Sequence, residues 1–356
     1  MGDEFDLIRS IYTFCACCSF LLAIVFNTFL AWLIITKTPA PMLIYSKILM
    51  APCILDILFA ICTFLVQPIP IVSHGYFAVI QNGFFREASG FYNYSANVLW
   101  FQMLLLFVCC TTIQFVFRYY LMISGGSRVP RRLKYLTSLI VICLLFAHVL
   151  LHFLSDFPYA KYSGKMLDLA RLVNAEIGLT NIRFSSFTPA RTYLWLFHSA
   201  VMLSIFTICY TINVFYTIRT SKYIFKTYEN SGIITKSSCT FVKVADFRKN
   251  ERLREYNKAI TTALIVQAIL PTIDIIALSM QVVMPIFWSN SNTITYMVYA
   301  TIPLYFIPAL NPIAAILFIK PVPDGISAVG RHSAGRSSAS GPAGGMHQQP
   351  NRVQPQ

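Results

Sequence analysis

Seven long apolar stretches, separated by short polar gaps, dominate the pattern of this chain. Ile11–Ile35, Tyr94–Phe117, Tyr135–Leu154, Thr192–Ile218 and Ile294–Ile319 contain no Asp, Glu, Lys or Arg. Ile48–Val72 contains only Asp56, and Ala259–Met284 only Asp274. A helix rises 1.5 Å per residue, so about 20 apolar residues cross the hydrocarbon of a bilayer. Helix is the required form, because lipid offers backbone amides no partner. A membrane barrel needs alternating polar and apolar positions, which these runs lack. The pattern predicts an all-α membrane protein, a seven-transmembrane helix bundle. Residues 1–10 form a short N-terminal segment and 11–319 the bundle. Residues 320–356, rich in Gly, Ser, Pro and Gln, form a disordered tail. The first run is read as a retained span: Asp3, Glu4 and Asp6 precede it against Arg9, the wrong sign for a signal peptide.

Composition agrees. A length of 356 residues would allow two soluble domains, but charged residues are only 12% and hydrophobic ones 56%. Soluble domains carry about 25% charge. The net charge of +14 does not point to nucleic acid, because the cations sit in particular gaps without zinc-ligand spacing or a Gly-rich phosphate loop. The segment "IQFVFRYYLMISGGSRVPRRLK" places Arg118, Arg128, Arg131, Arg132 and Lys134 in one gap with no acid. The gaps Thr36–Lys47, Arg118–Lys134 and Arg219–Lys258 and the tail from Lys320 together hold 21 cations against five acids. The opposite gaps hold seven of each. The positive-inside bias therefore predicts a multi-pass plasma-membrane protein with its N-terminus outside and its tail in the cytosol, beside anionic lipid. Asp246–Lys258 reads as a helical extension of span six. Nine of the ten cysteines lie in the spans and are expected to pack as small apolar groups, with Cys239 reduced in the cytosol. The sequon Asn93-Tyr94-Ser95 touches the start of span three, a poor position for glycosylation.

Polar residues inside apolar runs carry the candidate chemistry. Asn27, Asp56 and Asn311 each lie eight residues from the predicted cytoplasmic end of their spans. That shared depth is compatible with a fixed packing bracket between spans one, two and seven. It is also compatible with a switch, using a bound cation or a protonated Asp56. Pro271 interrupts span six and Pro312 span seven, each removing a backbone donor. Toward the outer ends, Asn97, Trp100, Phe101 and Gln102 of span three, His148 and His152 of span four, Trp195 and His198 of span five, and Asp274 and Gln281 of span six offer walls for a small-molecule cavity. His148 and His152, four apart, share a helix face. The spacing shows no further matched ligand, so no metal and no cofactor is expected.

The chain resembles nematode seven-transmembrane chemoreceptors of the Str superfamily, with serpentine receptor class delta as the suggested subclass. The likeness rests on "FVFRYYLM" at the end of span three, "TTALIVQAILP" in span six and "LNPIAAILFIKP" at the end of span seven, and covers about residues 5–321. It implies a G-protein-coupled-receptor-like fold and a chemosensory role in olfaction. The implied partners are a small odorant-like ligand, a cytoplasmic heterotrimeric G protein and the bilayer. The implied location is a sensory-neuron cilium. Arg118 and Tyr119 fall at the family's Arg-Tyr position, and Asn311 and Pro312 at its Asn-Pro position. Phe117 stands where rhodopsin-like receptors carry an acid, and Ala315 where their Asn-Pro-x-x-Tyr pattern ends.

A secondary transporter of a small solute is the alternative function, since broken helices and intramembrane acids occur there too. The odd number of spans and the lack of a repeat between halves weigh against it. An enzyme is not expected. The two aspartates lie at different depths, and no Gly-x-Ser-x-Gly or His-Glu-x-x-His element is present.

Overall fold

The computed structural model describes residues 2–37, 43–73, 75–88, 90–124, 129–155, 184–189, 192–236 and 293–318. It also describes 168, 171, 175, 266, 269–270, 272–273, 275–283 and 287. Among the described residues, six helices are long and apolar enough to cross a membrane. They are α1 (Gly2–Lys37), α2 (Leu43–Val66), α3 (Gly90–Ile123), α4 (Arg131–Ser155), α5 (Tyr193–Lys236) and α7 (Thr293–Phe318). Helical residues 275–283 belong to the sixth segment, α6. Pro271, Asp274, the stretch Asp246–Lys258 and the tail lie outside the described residues.

The helix α1 begins well before the predicted Ile11, so the expected N-terminal segment is helical from Gly2. Its apolar residues split into two stripes. Tyr12, Ala16, Ser19, Ala23, Asn27, Leu30 and Ile34 are buried, at the three-and-four spacing of one helix face. Phe14, Leu21, Val25, Phe29 and Trp32 are exposed, as a lipid-facing stripe requires. At the other extreme of packing, α3 is the central helix. Its Trp100, Leu104, Leu105 and Phe107 join the main core with Phe59 of α2 and Tyr305 of α7. By contrast α4 is peripheral, with Leu136, Leu139, Ile142 and Phe146 exposed.

The buried stripe of α1 clasps the backbone of α7. The Tyr12 hydroxyl donates to the Val298 carbonyl, the Ser19 hydroxyl to the Tyr305 carbonyl, and Asn27 Nδ2 to the Pro308 carbonyl at 2.9 Å. The last bond has a specific cause. In a regular helix the Pro308 carbonyl would accept from residue 312, but Pro312 has no N–H. The Asn27 amide supplies the missing donor.

A small sheet was not anticipated from hydropathy. The predicted second span ran to Val72, whereas α2 stops at Val66. Pro68 and Pro70 cannot donate within a helix, and a proline disfavours helical backbone in the residue before it. Gln67 takes the left-handed conformation, φ 44°, that commonly ends helices. The chain then forms β1 (Pro68–Ser73), turns at Gly75 (φ 77°) and returns as β2 (Tyr76–Gln81). The third strand, β3 (Phe184–Pro189), pairs antiparallel with β2, with a register irregularity between Val79 and Ile80. The order β1-β2-β3 leaves the proline-bearing strands on the edges, where missing donors are tolerated.

This sheet is packed into the bundle. Ile69, Ile71 and Val72 are fully buried. The Tyr305 hydroxyl donates to the Pro68 carbonyl at 3.1 Å. After β2 the chain caps α2. The amides of Gly83 and Phe84 donate to the Val66 and Leu65 carbonyls, which the helix end leaves without intrahelical donors. The approach is so close that a Cβ on Gly83 would lie 2.2 Å from the Leu65 oxygen. Asn82 ties this corner to α1, donating to the Arg9 carbonyl and the Thr13 hydroxyl and accepting from Arg9 Nε.

Candidate functional site

The structure divides the sequence-derived candidates among three places. The first is a small cavity beneath the sheet. Trp100 and Phe101 of α3, Gln281 of α6 and Thr301 of α7 meet Pro68, Pro70 and Val79 of the sheet there. Each polar group in its wall is held. The Trp100 indole donates to the Thr63 hydroxyl at 3.1 Å, and the Gln281 amide to the Thr301 hydroxyl at 3.3 Å. The wall is thus mainly aromatic and aliphatic, and its amide and hydroxyl are engaged with each other. The free space between these side chains has room for about one water molecule, so a larger guest enters only if the walls part. Sequence reasoning missed Thr63, Thr301 and the strand residues. The two threonines look like ordinary helix positions until their neighbours are known. The strands were concealed within apolar runs and gaps. Trp195 sits apart, packed on Phe77 at 5.8 Å between ring centroids and clustered with Met297. Asn97 is buried within α3.

The second place lies between α3, α4 and α5. His148, His152 and His198 are all buried, with ring centroids 4.5–5.4 Å apart. Gln102 bonds His148 Nδ1 at 2.9 Å, and the Ser155 hydroxyl bonds His198 Nδ1 at 2.8 Å. Phe101 packs on His152 at 5.1 Å, so one aromatic ring separates this cluster from the cavity under the sheet.

The third place is toward the other end of the bundle. Asp56, Gln114, Asn311 and Pro312 line a narrow cleft with Cys53 and Thr111. Asn311 Nδ2 reaches Asp56 Oδ1 at 3.4 Å. Asn27 meets α7 one turn away, through the Pro308 carbonyl. Thus α7 links α1 and α2 through separate bonds. One turn beyond Gln114, Arg118 is 2% exposed, sealed inside the bundle. Tyr119 packs at a tilt against Tyr216 of α5, with ring centroids 5.1 Å apart, and the Arg219 guanidinium lies over the Phe215 ring at 5.2 Å. Asn93 of the sequon is fully buried, which closes it to a glycan in this conformation. All nine described cysteines are free thiols.

A buried central helix, polar groups on both halves of the bundle and a strand cap define a serpentine receptor-like membrane protein. A family profile described as serpentine type 7TM GPCR chemoreceptor Str matches residues 12–322. The chain belongs to this Str family of seven-transmembrane chemoreceptors. The match is to the family as a whole and carries no subclass. It is a receptor family, not a family of enzymes. No curated protein matches the chain.

Proposed function

We propose that this receptor detects a small odorant-like molecule in the cavity under the sheet and activates a heterotrimeric G protein at its opposite end. The supporting observation is α3, one continuous helix carrying Trp100 and Phe101 in the cavity wall and the buried Arg118 at the other end. The sheet faces outside and the basic gaps face the cytosol, in line with the Lys/Arg bias. By family, the site of action is a sensory-neuron cilium.

A guest shifts the equilibrium only through unequal affinity for two arrangements. The cavity as it stands is small. Ligands that fit a wider arrangement of α3, α6 and α7 favour that state. The same shift releases Arg118 from its sealed position, and the guanidinium with the basic end of α5 forms the docking surface. Asp56 and Asn311 lie between the two ends and serve as the bracket that repacks. No covalent step by the receptor is needed.

Expression with a G-protein readout against a panel of volatile and water-soluble compounds tests the reading. Arg118→Ala should lower ligand-evoked nucleotide exchange by more than about tenfold, a loss of ~1.4 kcal/mol, with ligand binding retained. Undiminished exchange at normal surface level rejects the role of Arg118. Ligand accumulation in vesicles without G protein would favour a transporter.

A further inference from the structure

We propose that His148, His152 and His198 form a binding site for one divalent transition-metal ion of the zinc or copper type, joining α4 to α5 against α3. The inference goes beyond the receptor reading and does not depend on signalling.

The three rings come from two helices. His148 and His152 share a face of α4 by their spacing of four, and α5 brings His198 against them. Each offers one nitrogen, and these three atoms lie within 4.8 Å of one another. Among the described residues this is the group of three metal-ligating side chains with that geometry. On a tetrahedral ion with Zn–N bonds of 2.0–2.1 Å, two ligand nitrogens lie about 3.4 Å apart. Closing the triad therefore requires ring shifts of at most roughly 1.4 Å, within the reach of side-chain rotation.

The surroundings suit a metal better than ring packing alone. Metal-bound histidines characteristically engage their other nitrogen with a polar partner that fixes the ring. Here Gln102 holds His148 through Nδ1 and Ser155 holds His198 through Nδ1. His148 Nε2 is buried without a hydrogen-bond partner, and so is Gln102 Oε1. Turning the Gln102 amide to present Oε1 makes His148 Nδ1–H the donor. That tautomer leaves the Nε2 lone pair for an ion. Three imidazoles favour zinc or copper over magnesium or calcium, which prefer oxygen ligands. A three-histidine zinc site keeps a fourth position for water or a donor atom of a guest.

The test uses the full chain in lipid nanodiscs, with neither ligand nor G protein. The other three histidines, His74, His332 and His347, are changed to Asn so that only the triad remains. Equilibrium dialysis against Zn²⁺ should show one ion per chain, and Zn²⁺ but not Mg²⁺ should raise the thermal midpoint, reversibly with EDTA. His198→Asn should weaken binding by on the order of 100-fold, and Gln102→Leu by about 10–100-fold through the ring it positions. Cu²⁺ loaded into the otherwise wild-type chain should give a paramagnetic resonance spectrum with coupling to several imidazole nitrogens. That measurement stands even if a variant fails to fold. Absence of a bound ion in the triad-only chain, or a Cu²⁺ spectrum without imidazole nitrogens, overturns the proposal.

Discussion

The two ends of the bundle solve the problem of buried backbone in opposite ways. At the sheet end, strands enter among the helices, and their amides pair with one another and with the end of α2. Toward the Arg118 end, helix continues, but Pro312 in α7 removes a donor that Asn27 of α1 replaces. The first solution fixes the backbone by close fit. The second fixes it by single, replaceable hydrogen bonds. The difference identifies where the molecule can rearrange cheaply. Changing a few side-chain bonds lets α7 shift against α1 and α2 within their apolar contacts, whereas moving the strands disrupts a ladder and a cap together.

The contrast can be broken most forcefully at Gly83. A methyl there would meet the Leu65 oxygen at 2.2 Å. Gly83→Ala should cost about 3 kcal/mol, near the upper end of ordinary overpacking, read as a lower thermal midpoint of the purified chain. Gly75 sharpens the point. It has a positive φ but no atom within 4 Å of its added Cβ. Because Asn tolerates that backbone, Gly75→Asn should cost less than about 1 kcal/mol. A comparable loss at both glycines would show that backbone conformation, not close fit, governs the corner.

Removing the donor for α7 comes next. Asn27→Ala leaves the Pro308 carbonyl buried without its amide partner, and about 2 kcal/mol of stability should be lost. Combining it with Pro312→Ala returns an N–H to α7 and should recover part of that loss. No recovery in thermal melts would detach Asn27 from the proline. A smaller effect than that of Asn27→Ala lies where the two solutions meet. Tyr305→Phe removes the hydroxyl bonded to the Pro68 carbonyl and should cost about 1 kcal/mol. Hydrogen exchange should then rise in β1 before it rises in α1.

The helical frame was legible because lipid demands long apolar runs, and the runs are visible by eye. The depth of Asn27, Asp56 and Asn311 also carried information. Asp56 and Asn311 do meet, while Asn27 reaches the same helix by a backbone carbonyl. The sheet was concealed because a fully buried strand such as Ile69–Val72 has the same hydropathy as the end of a span. Pro68 and Pro70 were the local signal that helix could not continue. Nothing local announces β3, whose register with β2 spans more than a hundred residues. The histidine cluster shows the same limit. A spacing of four displayed two rings on α4, but His198 joins them only through the packing of α4 on α5.

The clasp between α1 and α7 has a consequence for biosynthesis. The helix α1 carries Tyr12, Ser19 and Asn27 into lipid before α7, whose backbone they serve, has been synthesised. Until α7 inserts, those three groups persist as polar marks in an apolar medium. A chain truncated ahead of α7 would keep those groups without their α7 partners, so its retention at the site of synthesis is the expected outcome.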